Sequence, residues 1–228
     1  MKYTVYALHN YRTMPQIDRL TPEQIEAIEV VGRVLPFKTN NYVTEQLIDW
    51  NNIPDDPIFT LTFPRREMLP AAAYARVKAL LDAGAPAAET VRRIRLRLNP
   101  NPAGQEYNIP MLGEVRLRGV QHKYRETVLF FPAQGQTCHA YCTFCFRWPQ
   151  FSGMSELKFH MREAELLYRY LEQHRAVTDV LFTGGDPMTM SAKVLSAYID
   201  PMLDESFAHI RTIRIGTKSL AYWPYRYT

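Results

Sequence analysis

Cys138, Cys142 and Cys145 are the three cysteines of this 228-residue chain, and all lie in TCHAYCTFCFRWPQ, residues 137–150. Thiolates are soft ligands, suited to zinc, copper(I) and iron–sulfur clusters. A closed zinc site takes four ligands, usually from two knuckles, whereas this chain has one CxxxCxxC and no second knuckle. His139 sits beside a cysteine inside the loop and is poorly placed to complete the same metal. Four cysteines would saturate a cubane cluster. Three on one short loop leave one iron open to chelate a small ligand, as a catalytic cluster needs. Three incidental buried cysteines are the competing explanation, but scattered residues rarely gather within one eight-residue window.

A second stretch, TGGDP at residues 183–187, closes the strand-like VTDVLFTGGDP. Its members are Thr183, Gly184, Gly185, Asp186 and Pro187. Glycine lets backbone approach a ligand closely, and carbonyls at a strand end can accept from an ammonium group. Gly-Gly alone is a weak signal, since turns use it freely. Its weight comes from lying one strand–helix unit after the cysteines.

The elements that must position these residues are legible as patterns. LTPEQIEAIEVVGRVLP is helical, with Thr21 as cap, Pro22 in the first turn and Gln24 at capping-box spacing. NNYVTEQLIDW reads as a second, shorter helix, and NNIPDDPIFTLTFPRREML as an extended connector. PAAAYARVKALLDAGAP and AAETVRRIRLRLN are helical, and PNPAGQEYNIPMLGEV is a loop or arm. Residues 1–123 are therefore expected to be mostly helical, without a strong β signal.

From residue 124 the pattern alternates. ETVLFFPA is a strand. SELKFHMREAELLYRYLEQHR is a long helix with Leu157, Ala164, Leu167 and Leu171 near one face. VTDVLFTGGDP is a strand, and SAKVLSAYIDPML a helix with Leu195, Tyr198, Ile199 and Met202 at i, i+3, i+4, i+7. IRTIRIGTKS is a third strand. Such alternation builds a parallel sheet or barrel, whose ligands sit at the carboxyl ends of the strands. The cysteines, TGGDP and GTKS all fall there.

Composition narrows the class. The chain is 46% hydrophobic and 22% charged, with net charge +4, an ordinary globular balance. That charge does not argue for nucleic acid. The densest basic run, with Arg92, Arg93, Arg95 and Arg97, fits either an anionic partner or a solvated face. MKYTVYALHNYRTM lacks the apolar core of a signal peptide, and no run approaches the roughly 18 apolar residues of a membrane span. The expectation is a cytoplasmic protein with no membrane partner, where a tight cysteine cluster binds metal or does catalysis.

CxxxCxΦC, with Phe144 as the aromatic residue, resembles the signature of radical S-adenosylmethionine (SAM) enzymes. More of the chain, from about Leu35 onward, resembles the lysine 2,3-aminomutase family: LPFKTNNYV, LIDW, PDDPI, HKYRETVLF, LFTGGDPM and IRTIRIGTKSLAYWPYRYT. The fold this implies is α/β: a helical N-terminal region over 1–123, then the first three β/α units of a partial parallel (β/α)6 radical SAM barrel over 124–228. The family barrel takes six strands, so the third would be an open edge, and the chain reads as the N-terminal part of a longer enzyme.

The resemblance also implies roles. Cys138, Cys142 and Cys145 would bind three irons of a 4Fe–4S cluster, with the fourth iron chelating SAM. Phe144 would lie near the adenine, and Thr183, Gly184, Gly185, Asp186 and Pro187 would form the second SAM motif. The family reaction is radical amino-group migration on an amino acid held by pyridoxal phosphate (PLP), with flavodoxin or ferredoxin as electron donor. A homo-oligomer is compatible with it. The family's PLP lysine lies beyond its third strand, so none is assigned in this chain, and Lys218, at a strand end, reads as either a structural residue or a polar contact. After the third cysteine the family's Arg-rich run is replaced by FRWPQFSG. Arg147 matches either the first of those arginines, a substrate-carboxylate ligand, or a surface residue. Lysine as the substrate is in doubt. Radical SAM chemistry without PLP, and a non-catalytic metal-binding remnant, remain alternatives.

Overall fold

The computed structural model describes residues 2–100 and 106–228. The stretch of the 100–115 arm at 101–105 lies outside the described residues. Secondary structure begins with β1 (Val5–Ala7), α1 (Pro22–Val34), β2 (Lys38–Asn40), α2 (Pro57–Thr62), α3 (Ala71–Asp82) and α4 (Ala88–Leu98). The short strands β3 (Met111–Leu112), β4 (Val115–Arg116) and β5 (Val120–Tyr124) follow. Then come β6 (Thr127–Phe130), α5 (Ala164–Gln173), β7 (Asp179–Phe182), α6 (Ala192–Ile199), β8 (Thr212–Ile215) and α7 (Ser219–Tyr222).

Local chemistry sets the first helix as expected. Thr21 accepts from the Gln24 N–H at 3.3 Å, and the Gln24 side chain accepts from the Thr21 N–H at 2.9 Å. Val30, Val31 and Val34 pack with Tyr74 and Val77 of α3 and Val91 of α4. The 51–69 stretch is not the extended connector that its prolines imply. Asp56 accepts from the Phe59 N–H at 2.6 Å and Pro57 opens the first turn, so α2 forms. Phe59 and Phe63 then stack at 4.6 Å inside the N-terminal core. The shorter helix expected in NNYVTEQLIDW forms, with Val43–Leu47 wound as a π-helix. Before it, β2 pairs antiparallel with β1, a sheet too short to show as alternation in the sequence.

The main sheet has the order β5-β6-β7-β8. β6, β7 and β8 are parallel, with Val128↔Val180↔Ile213 and Phe130↔Phe182↔Ile215 in register. β5 joins as an antiparallel edge strand, with a register shift between Gln121 and Tyr124. The alternating residues Val128, Phe130, Val180 and Phe182 form one face, which packs against Leu167 and Leu171 of α5 and Leu195 and Tyr198 of α6. That is the βαβ arrangement expected from period-2 strands and period-3.6 helices. α5 is shorter than the sequence pattern implies, and Leu157 lies outside it. Residues 159–161 are drawn to the sheet instead. Met161 N–H donates to Phe131 O and Ala133 N–H to Met161 O, both at 3.0 Å. Phe159 packs edge-on to Phe131 at 4.8 Å. Tertiary pairing overrides helical propensity here.

The opposite sheet face carries a polar clasp. Thr127 Oγ1 donates to Asp179 Oδ2 at 2.9 Å, and Arg214 Nε donates to Asp179 Oδ1 at 2.8 Å, which ties β6, β7 and β8 together. Burial alone would raise the Asp179 carboxyl, but the hydrogen bonds from Arg214 and Thr127 outweigh it and hold the carboxyl below its ordinary value. A depressed carboxyl stabilises the fold above its unfolded pKa, and that stabilisation fades as pH falls through the folded value. Asp179→Asn is thus expected to cost about 1 kcal/mol at pH 7 and less as pH falls below the ordinary carboxylate range towards pH 3. Urea denaturation of both proteins at the two pH values measures the difference.

Candidate active site

Parallel register puts the carboxyl ends of β6, β7 and β8 along one edge of the sheet, and their following loops enclose an open cleft of about 260 Å³. Cys138, Cys142 and Cys145 all line it. They are free thiols, partly buried. Phe144 and Arg147 join them from the same loop, and Thr183, Gly184, Gly185 and Asp186 from the loop after β7. Gly216, Thr217 and Lys218 enter from the end of β8, and Tyr222 from α7. Pro187 is buried in the turn Pro187–Thr189 and does not line the cleft. His139 is likewise buried away from the lining, against Tyr3, with burial lowering its pKa.

The loops lock through a buried carboxylate. Asp186, 3% exposed, accepts from Met188 N–H at 2.9 Å and Thr217 Oγ1 at 2.7 Å on Oδ1, and from Lys218 N–H at 2.9 Å on Oδ2. Its own N–H is shared between Thr137 O at 2.6 Å and Gly135 O at 3.1 Å. One residue therefore fastens the loops after β6, β7 and β8. The preceding glycines make this approach possible. A Cβ on Gly185 would lie 2.5 Å from the backbone N and O of Thr137, and one on Gly184, at φ +119°, would collide with the Gln136 side chain. The close approach that the glycines permit is thus between two loops of the chain itself.

The N-terminal region grips the cysteine loop from the other side. Asn40 Nδ2 donates to His139 O and Tyr222 O, each at 3.1 Å. Thr143 N–H donates to Leu61 O at 2.8 Å and Thr143 Oγ1 to Thr60 O at 2.9 Å, at the end of α2. Tyr3 Oη donates to His139 O at 3.1 Å. Lys38 Nζ donates to Thr137 Oγ1 at 2.9 Å, directly before Cys138. Lys38, Asn40, Thr217 and Tyr222 carry no motif of their own. The only sequence hint was polar residues inside LPFKTNNYV and GTKS.

The site is electropositive around buried thiols. Burial pushes the Cys138 thiol well up, Asp186 and the other two thiols add to this, and Lys38 opposes it. Burial also raises Cys145, with Arg147 and Lys218 opposing. Cys142 Sγ lies 3.2 Å from Tyr222 Oη. Among the described residues no three His, Cys, Asp or Glu side chains already stand at the spacing of a single metal ion. A cluster makes a different demand, because each thiolate takes its own iron. Three soft donors facing one cleft with nearby cations fit that group, and would release their protons on binding it. Arg147 lies over the Phe131 ring at 4.7 Å, and its Nη1 is buried without an acceptor. Lys218 Nζ lies over the ring of Phe144, which is 71% exposed, at 5.1 Å.

Two substitutions test this construction. Gly185→Ala must displace backbone of the cysteine loop, and is expected to cut the iron retained after anaerobic reconstitution several-fold. Asp186→Ala strands three donors and is expected to cost about 3 kcal/mol of stability, read by denaturant titration.

No family model matches the chain. No helix among the described residues is long and apolar enough to cross a membrane. The chain is similar to a putative L-lysine 2,3-aminomutase of Aquifex aeolicus, 29% identical over 92% of this chain and 46% of that protein. It is 22% identical to the L-lysine 2,3-aminomutase of Bacillus subtilis, over 96% of this chain and 40% of that one. With the L-lysine 2,3-aminomutase of Clostridium subterminale it shares 27% identity over 92% of this chain and 42% of the relative. The chain spans less than half the length of these curated relatives, and it is similar to them over most of its own length.

Proposed function

We propose that this chain carries the cluster and SAM site of a radical SAM enzyme related to lysine 2,3-aminomutase. The observation that carries the reading is that three cysteines of a CxxxCxxC loop and the TGGD strand end line one cleft. Similarity to aminomutases over most of the chain supports it. When bound and reduced, the cluster supplies the electron that cleaves SAM and so starts amino-group migration on an amino acid.

The chain's own residues supply the rest. Cys138, Cys142 and Cys145 would hold the cluster through three of its irons, and the fourth would be free to take the amino and carboxylate groups of SAM. The carbonyls of Thr183, Gly184 and Gly185 take the methionine ammonium, and Phe144 covers the adenine. Asp186 acts on SAM through the loops that it fastens, since its carboxylate oxygens are already engaged by Met188, Thr217 and Lys218. Arg147 pairs with the carboxylate of the amino-acid substrate. Its buried, acceptor-free Nη1 supports this role, because an unpaired buried donor is costly without a ligand. PLP is the family's second cofactor and a flavodoxin or ferredoxin its electron source, and no lysine described in this chain is assigned to PLP.

Anaerobic reconstitution is expected to give a brown protein with about four iron and four sulfide per chain. Cys142→Ala should lose most of that iron. Zinc without iron in anaerobically purified protein, or full iron in the Cys142→Ala variant, would overturn the assignment.

A further inference from the structure

Lys38 presents an ammonium group that forms no ion pair among the described residues. It projects from β2 into the base of the cysteine loop, and its one hydrogen bond is to the neutral Thr137 hydroxyl at 2.9 Å. The Tyr141 ring lies 5.8 Å from Nζ. Among the described residues no carboxylate pairs with it. Burial lowers its pKa, and Cys138 opposes that shift. A partly buried cation with one neutral partner is expensive to hold unless a negative charge faces it. Its hydrogen-bond partner Thr137 directly precedes Cys138, which becomes a thiolate when it binds the cluster of the reading above, and that is the negative charge the ammonium would face.

We propose that Lys38 is the built-in counter-charge of the cluster, stabilising its anionic form from the Cys138 side and raising its reduction potential. The inference rests on the cluster reading above. Three thiolates on a 4Fe–4S core of formal charge +2 sum to −1, and one electron from a reductant takes the assembly to −2. A fixed cation stabilises the second state more than the first, and low local dielectric magnifies the difference. Lys38 comes from the N-terminal region, not from the sheet that bears the thiols. That region would thus tune the electron transfer as well as brace the loop.

The test is an EPR-monitored redox titration, with dithionite as reductant, of the reconstituted chain and of K38M, K38Q, K38R and T137V. Iron and sulfide content is measured first. The uncharged K38M and K38Q are expected to load less cluster or to titrate at a more negative midpoint, and K38R to restore both. T137V removes the hydrogen bond but keeps the ammonium, and should stay close to the wild-type midpoint. Normal loading and an unchanged midpoint in K38M and K38Q would overturn the proposal. So would K38R behaving like K38M, or T137V alone reproducing the whole shift. Failure of the wild-type chain to take up iron would instead defeat the cluster reading itself, so the two failures are separable.

Discussion

The carboxylate of Asp186 is the interaction on which the cleft depends. Burying a carboxylate is unfavourable unless its oxygens are fully hydrogen-bonded, and here three donors from two strand-end loops satisfy it. Its backbone N–H adds the third loop, through Gly135 O and Thr137 O. These partners converge because β6, β7 and β8 are parallel and in register, so that their carboxyl ends share one edge. The apolar face on α5 and α6 makes the sheet, and the polar network at its end makes the cleft.

The N-terminal region completes that construction. The cysteine loop carries few internal backbone hydrogen bonds, and much of its bonding runs outward to Lys38, Asn40, Thr60 and Leu61. Ala140 and Cys142 are packed into the same apolar cluster as Tyr6, Phe37 and Phe59. A loop braced from two sides can hold three thiols toward one space while keeping their ligand positions open. The cost is desolvation of the thiols, which raises Cys138 and Cys145 and makes nearby cations useful.

Much of this was legible in the sequence. The strands β6, β7 and β8 announce themselves by apolar, β-branched and aromatic runs, the last two ending in glycine, and α1 by its capping box. The cysteine spacing and TGGDP pointed to the loops that share the cleft. What escaped detection depends on tertiary context. β1 and β2, three residues each, are too short for alternation to register, and β5, VQHKY, has too little apolar character to stand out as a strand. The helix expected to begin near Ser155 yields to the pairing of Met161 with Phe131. α2 hid behind proline punctuation, although Asp56 followed by Pro57 is a start signal. Asp186 reads in the sequence as a ligand residue, and only its three donors reveal a latch. Lys38 becomes informative only once its ammonium is seen beside Thr137, far away in the chain.

The most direct measurement of the central claim is the EPR spectrum of the reconstituted, reduced chain before and after addition of SAM. The account expects a reduced 4Fe–4S signal whose shape changes when SAM binds, because three cysteine ligands leave one iron open to it. An iron-free protein, or a cluster signal that SAM leaves unaltered, would contradict it.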